Sequence, residues 1–131
     1  ELLQATRKYP EDADAYKDLA DFLLARGEYA GACEYALKSL ALNQGSKRTK
    51  LILAASYIRQ QSNLAEALKI LQELAAGPLR DEDPAFEEVY SWLGECHIAR
   101  GDKAKALEAF RLALSFNPKY EPARAGIAQT K

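Results

Sequence analysis

The chain has 131 residues, 48% of them hydrophobic, which suffices to bury a core and excludes a disordered polymer. Its 18 basic and 19 acidic side chains leave a formal net charge of −1, so no global basic field is present to hold nucleic acid. No apolar run approaches the roughly 20 residues of a membrane-spanning helix, which argues against direct membrane insertion, and the lack of any methionine, even at position 1, reads as an excised or processed segment of a longer chain.

In chain order, residues 1–12 carry Pro10 where a helical unit would close, and read as the end of a preceding repeat. Residues 13–47 form a first unit: Tyr16, Leu19, Ala20 and Leu23 at helical spacing, a turn at Gly27, then a second helix through Ala32 and Ala36. Residues 48–81 repeat the layout, with Leu51, Ala54, Ala55 and Ile58, Ser62 in the glycine slot, and Ala67 beyond it. There Asn63 and Glu66 have the spacing of a capping-box pair. The spacer Ala76 to Phe86 follows, in which Gly77-Pro78 stops one helix and Asp83-Pro84 suits the start of the next. Residues 82–120 form the third unit, with Tyr90, Leu93, Gly94 and His97, a turn at Gly101-Asp102, then Ala106, Phe110 and Ala113 before Asn117-Pro118. Residues 121–131 open a further repeat or cap.

The three turns lie 35 and 39 residues apart, and the third unit fills every slot of a known pattern: Tyr90, Leu93-Gly94, His97 in place of an aromatic, Gly101, Ala106, Phe110, Ala113 and Pro118. In these residues the chain resembles the tetratricopeptide repeat family over nearly its whole length. The resemblance implies an all-α, right-handed superhelical solenoid of antiparallel helix pairs. Its small residues have a physical role. Gly94, Ala20 and Ala55 stand where paired helices approach most closely, with Ala32, Ala67 and Ala106 facing them, and Gly27 and Gly101 permit a left-handed turn.

Trp92, Cys96 and His97 are the residue types that bind metals or run catalysis, but no such set assembles around them. His97 falls on the stripe of Tyr90, Leu93 and Gly94, as a packing imidazole, and adjacent Cys96 points about 100° away from it. Cys33 and Cys96 lack companion ligands and read as small apolar fillers. "GDKAKA" has neither the glycine spacing nor the ending of a phosphate loop. The expectation is therefore no enzyme, no cofactor and no metal.

What the resemblance implies instead is a protein-interaction scaffold, whose concave face, lined by first helices, holds an extended peptide or a partner helix. On helical spacing the protein-binding candidates are Asp14, Lys17 and Asp21, with Asp18 and Leu24 beside them; Ile52, Ser56 and Arg59, with Thr49; and Glu88, Trp92 and Glu95, with Ser91 and Ile98. One family subtype grips acidic chaperone tails with Lys, Asn, Asn, Lys and Arg. Lys17 matches its first position, but Asp21, Leu53, Glu88 and Trp92 occupy the others, so a partner with basic segments fits better. Two alternatives remain open: a structural segment that homo-oligomerises through exposed repeat ends, and the docking arm of a larger enzyme or secretion or assembly machine.

Overall fold

The computed structural model describes residues 11–77 and 84–131. Among them are seven α-helices and no strand: α1 (Ala13–Ala25), α2 (Tyr29–Leu42), α3 (Lys47–Gln60), α4 (Leu64–Ala76), α5 (Phe86–Ala99), α6 (Lys103–Phe116) and α7 (Glu121–Gln129). The chain divides into two compact units, Glu1–Ser62 and Asn63–Lys131. That boundary falls inside the second repeat expected from the sequence. The segment "ELLQATRKYP" lies outside the described residues, as do Pro78 and Asp83.

In the first unit α1, α2 and α3 pack on one another. Asp12 caps α1 by accepting from the backbone N–H of Asp14 (3.0 Å) and Ala15 (3.3 Å), satisfying donors that have no partner within the helix. Ala20, Ala32 and Ala36 are fully buried, in keeping with a close helix approach set by small side chains. A buried polar cluster ties the three helices together. Ser39 Oγ of α2 donates to the Ala13 carbonyl (2.8 Å) and lies 3.5 Å from Thr49 Oγ1 of α3, which is itself 2.7 Å from Ser46 Oγ. No buried side-chain N or O among the described residues lacks a partner.

In the second unit α5 pairs with α6, and α4 and α7 pack against them. Asp102 caps α6 through the Lys105 N–H (3.1 Å), as its position in the sequence leads one to expect. The start of α5 differs from expectation. Its N-cap is Ala85, one residue beyond Pro84, and the stabilising contact is Glu88 Oε2 accepting from the Ala85 N–H (3.0 Å). At the centre Phe110 is fully buried, between Gly94 of α5 and Gly126 of α7.

Three helix ends share one hydrogen-bond pattern, and it corrects the sequence reading of the middle turn. Glu28 N–H donates to Leu23 O (2.9 Å), Asp102 to His97 O (2.8 Å) and Ser62 to Tyr57 O (3.1 Å). Each donor follows a left-handed residue: Gly27 (φ 79°), Gly101 (φ 83°) and Gln61 (φ 53°). Gln61, not Ser62, therefore occupies the glycine slot. Asn63 is an additional left-handed residue (φ 51°) at the N-cap of α4, and its side chain makes no capping bond there, so the expected pair with Glu66 does not form. Asn tolerates this conformation better than most residues. Gln61 does not. Because Gln61 is exposed and contributes no core packing, Gln61→Gly is expected to raise stability by about 1 kcal/mol, read as a higher denaturation midpoint at unchanged slope. An unchanged or lower midpoint would remove the strain assigned to this turn.

Candidate functional site

The sequence-derived candidates fall on two units and divide by burial. On the first unit Asp14, Asp18 and Asp21 are exposed along α1, with Lys17 half-buried among them and 3.7 Å from the Asp14 carboxylate. Leu24 is half-buried and Arg59, at the end of α3, is exposed. Ile52 and Ser56 are not surface residues. Both are buried, and Ser56 Oγ donates back to the Ile52 carbonyl (2.8 Å). Thr49 is likewise buried in the Ser39 cluster. The physical reason is that every residue from Leu51 to Ile58 is buried, so α3 has no polar face in this stretch from which a ligand-facing stripe could be chosen.

On the second unit Glu88, Trp92 and Glu95 are all half-buried and follow one another at helical spacing on α5. Glu88 is engaged at the Ala85 cap, and Glu95 Oε1 accepts from Gln129 Nε2 of α7 (3.5 Å). The Glu95 end of this face thus reaches α7. Ile98 is half-buried, whereas Ser91 is buried.

Neither thiol is activated, and His97 is half-buried on α5. Cys96 is buried, its Sγ 3.7 Å from the Leu64 carbonyl, and burial raises its thiol pKa more than the nearby Arg100 lowers it. Cys33 is half-buried and raised for the same reason, partly offset by a hydrogen bond with Tyr57. Both thiols are thus protonated near neutral pH and poor nucleophiles. Desolvation lowers the pKa of His97, helped by Lys105 and Arg100 and opposed by Asp102 and Glu108. Among the described residues no group of three or more His, Cys, Asp or Glu side chains could hold a metal ion, and no helix is long and apolar enough to cross a membrane.

One feature of the surface has no counterpart among the expected site residues. Phe86, Tyr90 and Phe116 form a mutual stack, with centroids 5.0 Å apart for Phe86 and Phe116 and 5.7 Å for Tyr90 and Phe116. Phe116 is 52% exposed and Leu112 46% exposed beside it. The signal was present as an apolar i, i+4 pair on α6, but the repeat pattern assigns no partner to it.

Two tetratricopeptide repeat models match the sequence, one over residues 1–47 and another over residues 87–120, together more than half of the 131 residues. No curated protein matches it significantly. Among solved structures, the Arabidopsis OM64 TPR domain superposes with a TM-score of 0.73 at 15% identity, over 91% of this chain and 93% of that one. MamA gives a TM-score of 0.75 at 21% identity, over 98% of this chain and 72% of the other. The second TPR domain of human RPAP3, solved with the HSP70 peptide SGPTIEEVD, gives 0.70 at 19% identity, over 90% and 93%. With its helix hairpins, its glycine-marked turns and both model matches in agreement, the chain belongs to the tetratricopeptide repeat family, an all-α family of protein-interaction scaffolds rather than enzymes.

Proposed function

We propose that each unit of the chain offers the face of a repeat's first helix, α1 in one and α5 in the other, to an extended segment or helix of a partner protein, and that such a segment is basic. The observation that carries the reading is the charge and chemistry of those faces. Asp14, Asp18 and Asp21 outnumber Lys17 on α1, and Glu88 and Glu95 flank Trp92 on α5. Acidic faces attract Lys and Arg and repel carboxylates, a field that steers encounter and sets specificity more than it adds affinity. Trp92 supplies an indole against which an apolar or cationic side chain can rest.

The RPAP3 domain was solved with a peptide rich in acid and ending in aspartate. In this chain only Lys17 of the corresponding clamp positions suits such a tail. Asp21 and Glu88 would repel it, and Leu53 is buried.

Because Trp92 is the single tryptophan, its fluorescence reports binding directly. Titration at low salt with a basic peptide pool is expected to shift the emission, whereas the acidic SGPTIEEVD peptide is expected to leave it unchanged. Asp21→Lys combined with Glu95→Lys is expected to weaken the basic ligands by about tenfold or more, and added salt to weaken them further. Binding that survives both charge reversals at unchanged affinity would show that these faces are not the site. Sedimentation at two concentrations, run alongside, separates partner binding from self-association.

A further inference from the structure

The first and third repeats place their aromatic residues differently at equivalent positions. Counting from the turn glycines Gly27 and Gly101, Tyr16 corresponds to Tyr90, Tyr35 to Ala109, Ala36 to Phe110 and Lys38 to Leu112. In the first unit the Tyr35 ring stacks on Tyr16, with centroids 6.1 Å apart and planes 13° apart, and Lys38 Nζ lies 5.1 Å from the Tyr35 centroid. In the second unit the aromatic has moved one residue on, to Phe110, whose ring is fully buried. Ala109 leaves the Tyr35 position without a ring, and Tyr90 stacks instead on Phe116 of the same unit, with centroids 5.7 Å apart. A depression of about 220 Å³ opens there, with Tyr90, Ala109 and Leu112 in its lining together with the polar side chains of Gln72, His97, Lys105 and Glu108.

We infer that this depression is a second docking site, which takes the side chain of a tyrosine presented by a partner polypeptide. The first repeat shows the chemistry of the occupant, since there the same place beside a tyrosine is filled by a phenol ring belonging to the chain itself. The volume is below the roughly 300–1,000 Å³ of sites for drug-sized ligands and suits a single side chain. The lining is apolar at Tyr90, Leu93, Ala109 and Leu112 and polar at Gln72 and at the imidazole, the ammonium and the carboxylate, a set that complements a phenol whose tip both donates and accepts. The corresponding positions in the first repeat are Leu23 for His97, Gly31 for Lys105 and Glu34 for Glu108, so the imidazole and the ammonium belong to the open site alone, whereas the carboxylate is shared. Tyr90 and His97 lie roughly half a turn around α5 from Trp92 and Glu95. The site is therefore separate from the proposed basic-segment face, and neither reading depends on the other.

The single histidine provides the probe, since its Hε1 proton gives one resolved NMR signal. Titration with Ac-Gly-Tyr-Gly-NH2 is expected to shift it saturably, with an affinity on the order of millimolar. Ac-Gly-Ala-Gly-NH2 is expected to bind at least about tenfold more weakly, and Ala109→Tyr, which restores the first-repeat ring, to abolish the response. A shift that never saturates, an equal response to the alanine peptide, or an unaltered response in a helical Ala109→Tyr protein would each overturn the assignment. A response to p-cresol but not to the tyrosyl peptide would assign the pocket to a free phenol and overturn the polypeptide ligand. Should Ala109→Tyr fail to fold, intermolecular NOEs from the peptide ring to the Ala109 and Leu112 methyl groups decide, and their absence in a saturated sample rejects the site.

Discussion

Gly94→Leu is expected to destabilise the second unit by about 2–3 kcal/mol, with a fall of several degrees in its melting temperature. Even Gly94→Ala is expected to lose stability. On helix propensity alone that change would gain about 1 kcal/mol, because alanine is the best helix former and glycine among the worst. Packing reverses the sign. A Cβ built on Gly94 would lie 2.5 Å from the Phe110 ring, and the ring cannot swing away because Gly126 of α7 presses its own backbone against the same side chain. Denaturation followed by Trp92 emission reports on this unit specifically, since that indole sits on α5. A stabilising Gly94→Ala would show that the ring has room to yield and that the close approach is not tight.

Much of this was legible in the sequence, for reasons that differ from residue to residue. Gly27 and Gly101 mark left-handed turns because few other residues take positive φ at low cost, so their presence is informative. Gly94 announced a close approach for a similar reason. The spacing sets Ala106 opposite it, and the atoms nearest to a Cβ there belong to Phe110. Spacing along a helix identifies the face on which a residue lies but not how far a side chain reaches across. A left-handed glutamine such as Gln61 carries no compositional signal, and Ser62 beside it has more of the character of a turn residue. The surface candidates fared worst on α3. There Ile52 and Ser56 lie in a stretch buried on every side, and helical periodicity can assign an outward stripe only to a helix that has a solvated face. On α1 and α5, where acidic residues alternate with an apolar stripe, helical spacing picks residues that are exposed or half-buried, with the exception of the buried Ser91. The tyrosine-sized depression was readable only by setting one repeat against another, since neither Tyr35 nor Ala109 is unusual alone.

The effect of Phe110→Ala is expected to be larger than that of either glycine substitution, about 3–5 kcal/mol, because deleting a fully buried ring loses its transfer energy and leaves a cavity that the helices close only in part. The loss is expected to fall on α5, α6 and α7 together, since the ring is the element that Gly94 and Gly126 both contact. The decisive measurement is the double-mutant cycle. If the ring is what makes Gly94→Ala unfavourable, then in a Phe110→Ala background the added methyl has space and only its helix propensity remains. Gly94→Ala should then become stabilising by up to about 1 kcal/mol, a reversal of sign between the two backgrounds. Additive effects would mean that glycine at 94 is required by something other than Phe110. A reversal would also account for the exchange of Tyr35-Ala36 for Ala109-Phe110 between repeats. Moving the aromatic by one residue carries it from the Tyr16-type stack into the glycine-lined slot, so the packing that holds α7 in place is the same change that leaves the Ala109 position open beside Tyr90.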